Sequence, residues 1–181
     1  MPENPPLILA SGSPRRSRIL ADLGVRFTVV RSDAEERAYP ADPERTVREN
    51  ALAKGEAVRA AHPGARVLSA DTIVWLDGRI YGKPRDLAEA RRFLRELGGR
   101  THTVFTGVAC DGCTRVERSD VTMREQDDAT IEEYIRRVNP VDRAGAYDID
   151  ECGELIIAKW TGSYENIMGL PVEPLKEWGI C

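Results

Sequence analysis

The dipeptide Asp77-Gly78 lies between two β-rich runs, and no other feature constrains the fold of this chain as tightly. Asp-Gly tolerates the positive φ angles of a two-residue hairpin turn. Such a turn sets Leu76 opposite Arg79, Trp75 opposite Ile80 and, if the ladder runs on, Thr72 opposite Lys83. The apolar middle of the hairpin then anchors it in a core, while its open end carries Asp71, Thr72 and Lys83 close together. Strict alternation puts Asp71 on the face away from Lys83, so their cooperation requires a bulge or a frayed strand end. Solvated charges at a hairpin end are the ordinary alternative to chemistry.

The bulk properties narrow the classes. A length of 181 residues suits one domain over 1–181, bilobed or not, with a real interior. A formal net charge of -4 excludes a protein that coats nucleic acid by bulk electrostatics, so any anion site must be a local concentration of Arg and Lys. No apolar run approaches the roughly 20 residues that span a bilayer, and the N-terminus reads as lacking a basic-then-apolar leader. The expectation is a soluble cytoplasmic protein with no nucleic-acid and no membrane partner. Cys110, Cys113, Cys152 and Cys181 are too scattered for a disulfide framework. The C-x-x-C at Cys110 lacks a second pair or a nearby His, and reads as ordinary thiols on a hairpin. His62 and His102 have no partners for Ser-His chemistry.

In chain order, residues 7–10 read as a short buried strand that runs into Ser11-Gly12-Ser13-Pro14-Arg15-Arg16-Ser17-Arg18. Ser13 suits an N-cap and Pro14 a first helical position, with Gly24 as the stop. The start of such a helix favours anions, yet Arg15, Arg16 and Arg18 crowd it with positive charge. A phosphate-bearing ligand explains them; so does a solvated basic patch, and both readings stay open at this point. Residues 25–30 alternate as a strand, followed by the acidic run 32–36, in which Glu35 and Glu36 are candidates for metal or water contacts. A helix is predicted over 44–61, with Val47, Ala51 and Val58 on one face and Lys54 close by. Asp86 to Glu89 form a capping box for a helix that ends at Gly98-Gly99. Strands at 101–110 and 115–123 flank Asp111-Gly112, a helix spans 129–138, a strand 155–160, and a short helix ends near Trp178. Strands alternating with helices, plus two hairpins, predict an α/β fold with a mixed central sheet.

Three blocks stand out together: Leu9 to Arg16, then Ala70-Asp71-Thr72 through Gly82-Lys83-Pro84, then Asp142-Arg143-Ala144-Gly145-Ala146-Tyr147 with Gly162-Ser163-Tyr164 and Gly169-Leu170-Pro171. Their order and spacing resemble the Maf family, nucleoside triphosphate pyrophosphatases also called septum formation inhibitor proteins. The resemblance covers nearly the whole chain. It implies two α/β lobes around a nucleotide cleft, hydrolysis of an NTP to its monophosphate and pyrophosphate, a divalent cation (Mg²⁺ or Mn²⁺) and a homodimer. Asp71 matches the catalytic carboxylate. Ser11, Arg15, Arg16, Lys54 and Lys83 match positions that line the phosphate cleft, and Glu36 falls in the acidic segment, giving Asp71 and Glu36 as the metal-side carboxylates. The residues suit that chemistry. Water attack on a phosphoanhydride needs charge neutralisation and positioning more than a protein nucleophile. Arginine offers bidentate phosphate contacts and lysine a point charge. A sensing protein that binds nucleotide and regulates septation without turnover is the alternative.

Three positions resemble specificity markers: Arg15, Thr72 and Asp150. Arg15 and Thr72 look like the branch that prefers dTTP and UTP. Asp150 departs from the pattern, because Gln or Glu is usual there. A carboxylate only accepts hydrogen bonds, so it meets the N3–H of uracil or thymine but neither carbonyl. The expectation is dTTP/UTP on two markers of three.

Overall fold

A computed structural model describes residues 6–181. The first five residues of the predicted 1–181 unit, with the N-terminus read as leaderless, lie outside the described residues.

The centre of the molecule is β3 (Arg66–Leu76), eleven residues long and buried over most of its length. On one edge it pairs antiparallel with β5 (Thr101–Cys110) from Leu68 to Trp75. Its other edge is shared. β1 (Leu7–Leu9) runs parallel to residues 66–68, and β4 (Arg79–Tyr81) runs antiparallel to Val74, Trp75 and Leu76. Among the described residues, no strand therefore pairs with 69–73 on that side. The sheet order is β2-β1-β3-β5-β6-β7, with β4 beside β3, where β2 is Phe27–Val29, β6 Cys113–Met123 and β7 Ile157–Thr161. Parallel and antiparallel pairs coexist, as expected of the mixed sheet.

The hairpin prediction holds at the turn. Leu76 faces Arg79 and Trp75 faces Ile80 across Asp77 (φ 48) and Gly78 (φ 79), the positive angles that a type I′ turn requires. It does not extend to Thr72 and Lys83. β4 stops at Tyr81, opposite Val74, and the chain leaves the ladder before Lys83. Asp111-Gly112 makes the second hairpin in the same way, with Cys110 and Cys113 as cross-strand partners, so β6 starts two residues earlier than the sequence indicates.

Among the described residues, six α-helices cover the sheet. α1 (Pro14–Asp22), α2 (Pro43–Ala61), α3 (Leu87–Leu97) and α4 (Asp128–Arg137) match the predicted spans within a residue or two. Asp42, Asp86 and Asp127 cap the last three through their carboxylates. α5 (Tyr164–Met168) has no counterpart among the predicted elements; Ser163 is its N-cap. α6 (Glu173–Glu177) is the short final helix.

Two hydrophobic cores share one face of β3. Leu68 and Ala70, with Val108 of β5, pack against Leu20, Leu170 and Leu175. Val74 and Leu76, with Val104, pack against Phe93, Leu94 and Tyr134. Between them, on the same face, lie Thr72 and its cross-strand partner Thr106, whose hydroxyls hydrogen-bond at 3.0 Å. On the opposite face α2 packs on β3 and β5, where Val47, Ala51 and Val58 are fully buried. Here too the apolar packing is interrupted, by Ser69 and Asp71. The Ser69 hydroxyl donates to the Ala51 carbonyl at 2.6 Å. Both faces of β3 are thus polar at 69–72, beside the gap left between β1 and β4.

Gly107, directly across from Asp71 in the ladder, sets the height of α2. A Cβ there would sit 2.4 Å from the Val47 carbonyl oxygen, so only glycine lets the helix backbone lie this close. Gly107→Ala is expected to cost about 1–3 kcal/mol or more in denaturant unfolding, because the neighbours that would have to move are backbone atoms. A second prediction concerns His102 on β5, buried with its Nε2 2.7 Å from the Tyr147 hydroxyl. Burial pushes its pKa down from 6.5 to about 4, so the unfolded chain binds the proton more readily between those values. Stability is expected to fall as pH drops through that window, by up to roughly 3 kcal/mol from this residue, and His102→Gln should flatten the pH profile of unfolding there.

Candidate active site

A cleft of about 750 Å³ opens over the polar middle of β3. It carries seven basic side chains against four acidic ones, inside a protein of net charge -4. This is the local concentration of positive charge that an anion site demands in an acidic chain.

Asp71 lies at its floor, 5% exposed, facing α2. Its Oδ1 accepts from Lys54 Nζ at 2.7 Å and its Oδ2 from Asn50 Nδ2 at 3.0 Å. Asn50 and Lys54 are four apart on α2 and so share a face, which the close approach at Gly107 lowers onto the carboxylate. Lys54 also reaches Glu36 Oε1 at 2.6 Å, linking two carboxylates through one ammonium. Asn50 clamps the segment between β2 and α2 as well, accepting from Arg37 N and donating to Arg37 O at 2.8 and 2.9 Å. Glu36 is held in place as a result.

Arg16 crosses from α1 to the other face of β3. Nε donates to the Gly169 carbonyl at 2.7 Å, one terminal nitrogen to Ser11 Oγ and the Ala70 carbonyl, and the other to Thr72 Oγ1 at 3.0 Å. Burial lowers its pKa to about 10, opposed by the attraction of Asp71 and reinforced by Arg15, and it remains a cation at neutral pH. Arg15 is held more loosely, 3.6 Å from Asp148 Oδ2 and 3.5 Å from the Asp142 carbonyl. Asp148 is itself buried and held by Arg143 Nε at 3.0 Å. The first turn of α1 carries no side-chain cap, since Ser11 Oγ takes the N–H of Ser13 instead. Lys83 is exposed on the rim of the cleft and makes no hydrogen bond or ion pair among the described residues. Gly82, just before it, is fixed by its carbonyl accepting from Gly145 N at 3.1 Å.

The cleft thus gathers Ser11, Arg15, Arg16, Glu36, Lys54, Asp71, Thr72 and Lys83 from four separate stretches of chain. The sequence Asp71-Thr72 places its two side chains on opposite faces of β3, so Asp71 acts toward α2 and Thr72 toward α1. A divalent cation fits the carboxylate pair in kind. Among the described residues no three His, Cys, Asp or Glu side chains form a metal cluster, so the protein builds no complete cage. Magnesium seldom uses one: one or two carboxylates suffice when phosphate oxygens and water supply the rest.

The family described as Maf-like protein matches residues 6–178. The chain belongs to the Maf family. Among its curated relatives, a dTTP/UTP pyrophosphatase of Moorella thermoacetica is 44% identical over 179 residues, covering 94% of this chain and 92% of its own. The dTTP/UTP pyrophosphatase of Akkermansia muciniphila is 42% identical over 173 residues, with 93% and 92% coverage. That of Deinococcus radiodurans is 43% identical over 172 residues, with 93% and 88% coverage.

Within this Maf chain one position stands apart. Asp150 is outside the cleft lining, where its carboxylate contacts Arg18 and accepts from the Tyr164 hydroxyl at 2.9 Å. Burial works against its charge, but these two partners hold its pKa below the usual carboxylate range. Asp148, two residues earlier, lines the cleft in its stead. Sequence reasoning also missed Asn50, Arg31 and Arg37. Asn50 was detectable from its four-residue spacing to Lys54, and the two arginines from their places flanking the acidic run.

Arg16 joins α1, β3 and the end of α5, so its removal is expected to be a folding lesion as well as a local one. Arg16→Met should lower unfolding stability by about 2–3 kcal/mol, since it strands the Ala70 and Gly169 carbonyls, while the Thr72 hydroxyl keeps Thr106 as a partner. Chemical denaturation at neutral pH checks this.

Proposed function

We propose that the protein hydrolyses nucleoside triphosphates to the monophosphate and pyrophosphate, with dTTP and UTP as preferred substrates and a divalent cation, Mg²⁺ or Mn²⁺, as cofactor. The observation that carries this reading is Asp71: a carboxylate at the floor of a basic cleft, oriented by Asn50 and tied through Lys54 to Glu36. The names of the relatives support the same reaction and the same bases. A homodimer belongs to this reading through the family resemblance, and a cytoplasmic protein with neither nucleic acid nor membrane as partner belongs to it through the acidic charge and the lack of a long apolar run in the sequence. No helix among the described residues is long and apolar enough to cross a membrane.

In the reaction, water oxygen bonds to phosphorus and the bridge between the α- and β-phosphates breaks, releasing pyrophosphate. Asp71 orients the water and accepts its proton. Arg15, Arg16 and Lys83, with Ser11, bind phosphate oxygens and neutralise the charge that the breaking bond develops. Lys54 bridges both carboxylates and presents a positive charge beside them. A divalent cation bound by Asp71 and Glu36 would supply further charge neutralisation for the phosphates. Arg15 and Thr72 shape the end of the cleft that receives the base. Asp150 acts there at one remove, by fixing Arg18 and Tyr164.

Incubating the purified protein with common and modified nucleotides plus Mg²⁺ or Mn²⁺, and following pyrophosphate release, tests the reading. Asp71→Asn is expected to lower kcat by about 10²–10⁴-fold with an unchanged circular dichroism spectrum. Chelation should abolish turnover and added metal restore it. Tight nucleotide binding by the wild-type protein without pyrophosphate release would overturn hydrolysis in favour of a sensing role.

A further inference from the structure

The cations of the cleft fall into two groups. Arg16, Lys54 and Arg143 are each held by acids or carbonyls, and Arg15 leans on Asp148. Arg31 and Arg37 line the same cleft, yet like Lys83 their charged groups make no hydrogen bond or ion pair among the described residues, and they are its two guanidiniums in that state. Neither is placed at random. Arg31 lies across Gly12: a Cβ on that glycine would stand 2.8 Å from Arg31 Nε and 3.2 Å from its Cγ and Cδ. The arginine thus lies over the loop that enters α1, in the space that a side chain at position 12 would occupy. Arg37 is pinned through its backbone to Asn50, which also holds Asp71, so its position is referred to the acid. The six-residue step between them carries Glu36 to Lys54. One segment therefore presents a carboxylate to the metal side of the cleft and two unpaired guanidiniums to its opening.

We infer that Arg31 and Arg37 form a clamp for the terminal phosphates of the substrate, and for the pyrophosphate that leaves, an assignment that rests on the hydrolase reading above. A guanidinium fork without a resident acid is the group that gains most from a phosphate, because no existing ion pair has to be broken first. The clamp gives the site a means of distinguishing a triphosphate from a diphosphate, since a nucleoside diphosphate lacks the group that the arginines grip.

The test titrates inorganic pyrophosphate with Mg²⁺ into the wild-type protein and into Arg31→Ala, Arg37→Ala and Arg26→Ala by calorimetry. Arg26 is exposed and outside the cleft, so its variant removes the same charge at a different place. The cleft variants are expected to raise the pyrophosphate Kd by about tenfold or more, the scale of one charged hydrogen bond, with Arg26→Ala within about twofold of wild type. Arg31→Lys should fall between wild type and Arg31→Ala, because it keeps the charge and loses the fork. In turnover, the ratio of kcat/KM for NTP over NDP should shrink about tenfold in each alanine variant. Wild-type pyrophosphate affinity in Arg31→Ala and Arg37→Ala, or an equal loss in Arg26→Ala, overturns the clamp. If pyrophosphate binding depends on both arginines but the wild-type protein turns over no nucleotide, the hydrolase reading fails and the clamp stands.

Discussion

One strand serves two hydrophobic cores, and its middle cannot be apolar. Leu68 and Ala70 belong to one core and Val74 and Leu76 to the other, so β3 must pass between them across a stretch that neither buries in hydrocarbon. Buried backbone and hydroxyl groups in that stretch need partners. Arg16 supplies them on one face, with donors for Ala70, Thr72 and Gly169, and Asn50 with Lys54 supplies them on the other. The polar seam is a requirement of the fold before it is a site. Charges that satisfy it are already aimed at the gap that β1 and β4 leave along the edge of β3.

The electrostatics follow from that position. Asp71 is 5% exposed, and the oxygens of a buried carboxylate need partners. Lys54 and Asn50 fill this role without neutralising the cleft, whose basic side chains outnumber its acids. An overall acidic protein thereby keeps a locally cationic cleft. Asp148 plays the corresponding part for Arg15 and Arg143, spacing two guanidiniums that would otherwise repel.

Much of this was legible in the residues. The Asp-Gly turns, the aspartate caps and the apolar spacing of Val47, Ala51 and Val58 are local signals, and each element they mark is present. Asp71, Lys54 and Arg16 stood out through the resemblance of their blocks. The partners did not. That Asn50 holds Asp71 depends on the absence of a side chain at Gly107, fifty-seven residues further along the chain, which no local pattern encodes. The extension of the β4 ladder to Lys83 failed because turn chemistry fixes register only near the turn; the segment then bends to meet Gly145. Asp150 stood out as a specificity marker by its position in a motif, and no local pattern announces that Arg18 and Tyr164 hold its carboxylate.

The close seat of α2 on Gly107 has a mechanical consequence. Asp71, Asn50 and Lys54 are joined across a contact with no intervening side chain to compress, so they travel together. Loop-borne groups such as Lys83 have no such mooring. A shift of the segment that carries Lys83 would widen or narrow the mouth while leaving the acid and its two helical companions in unchanged register.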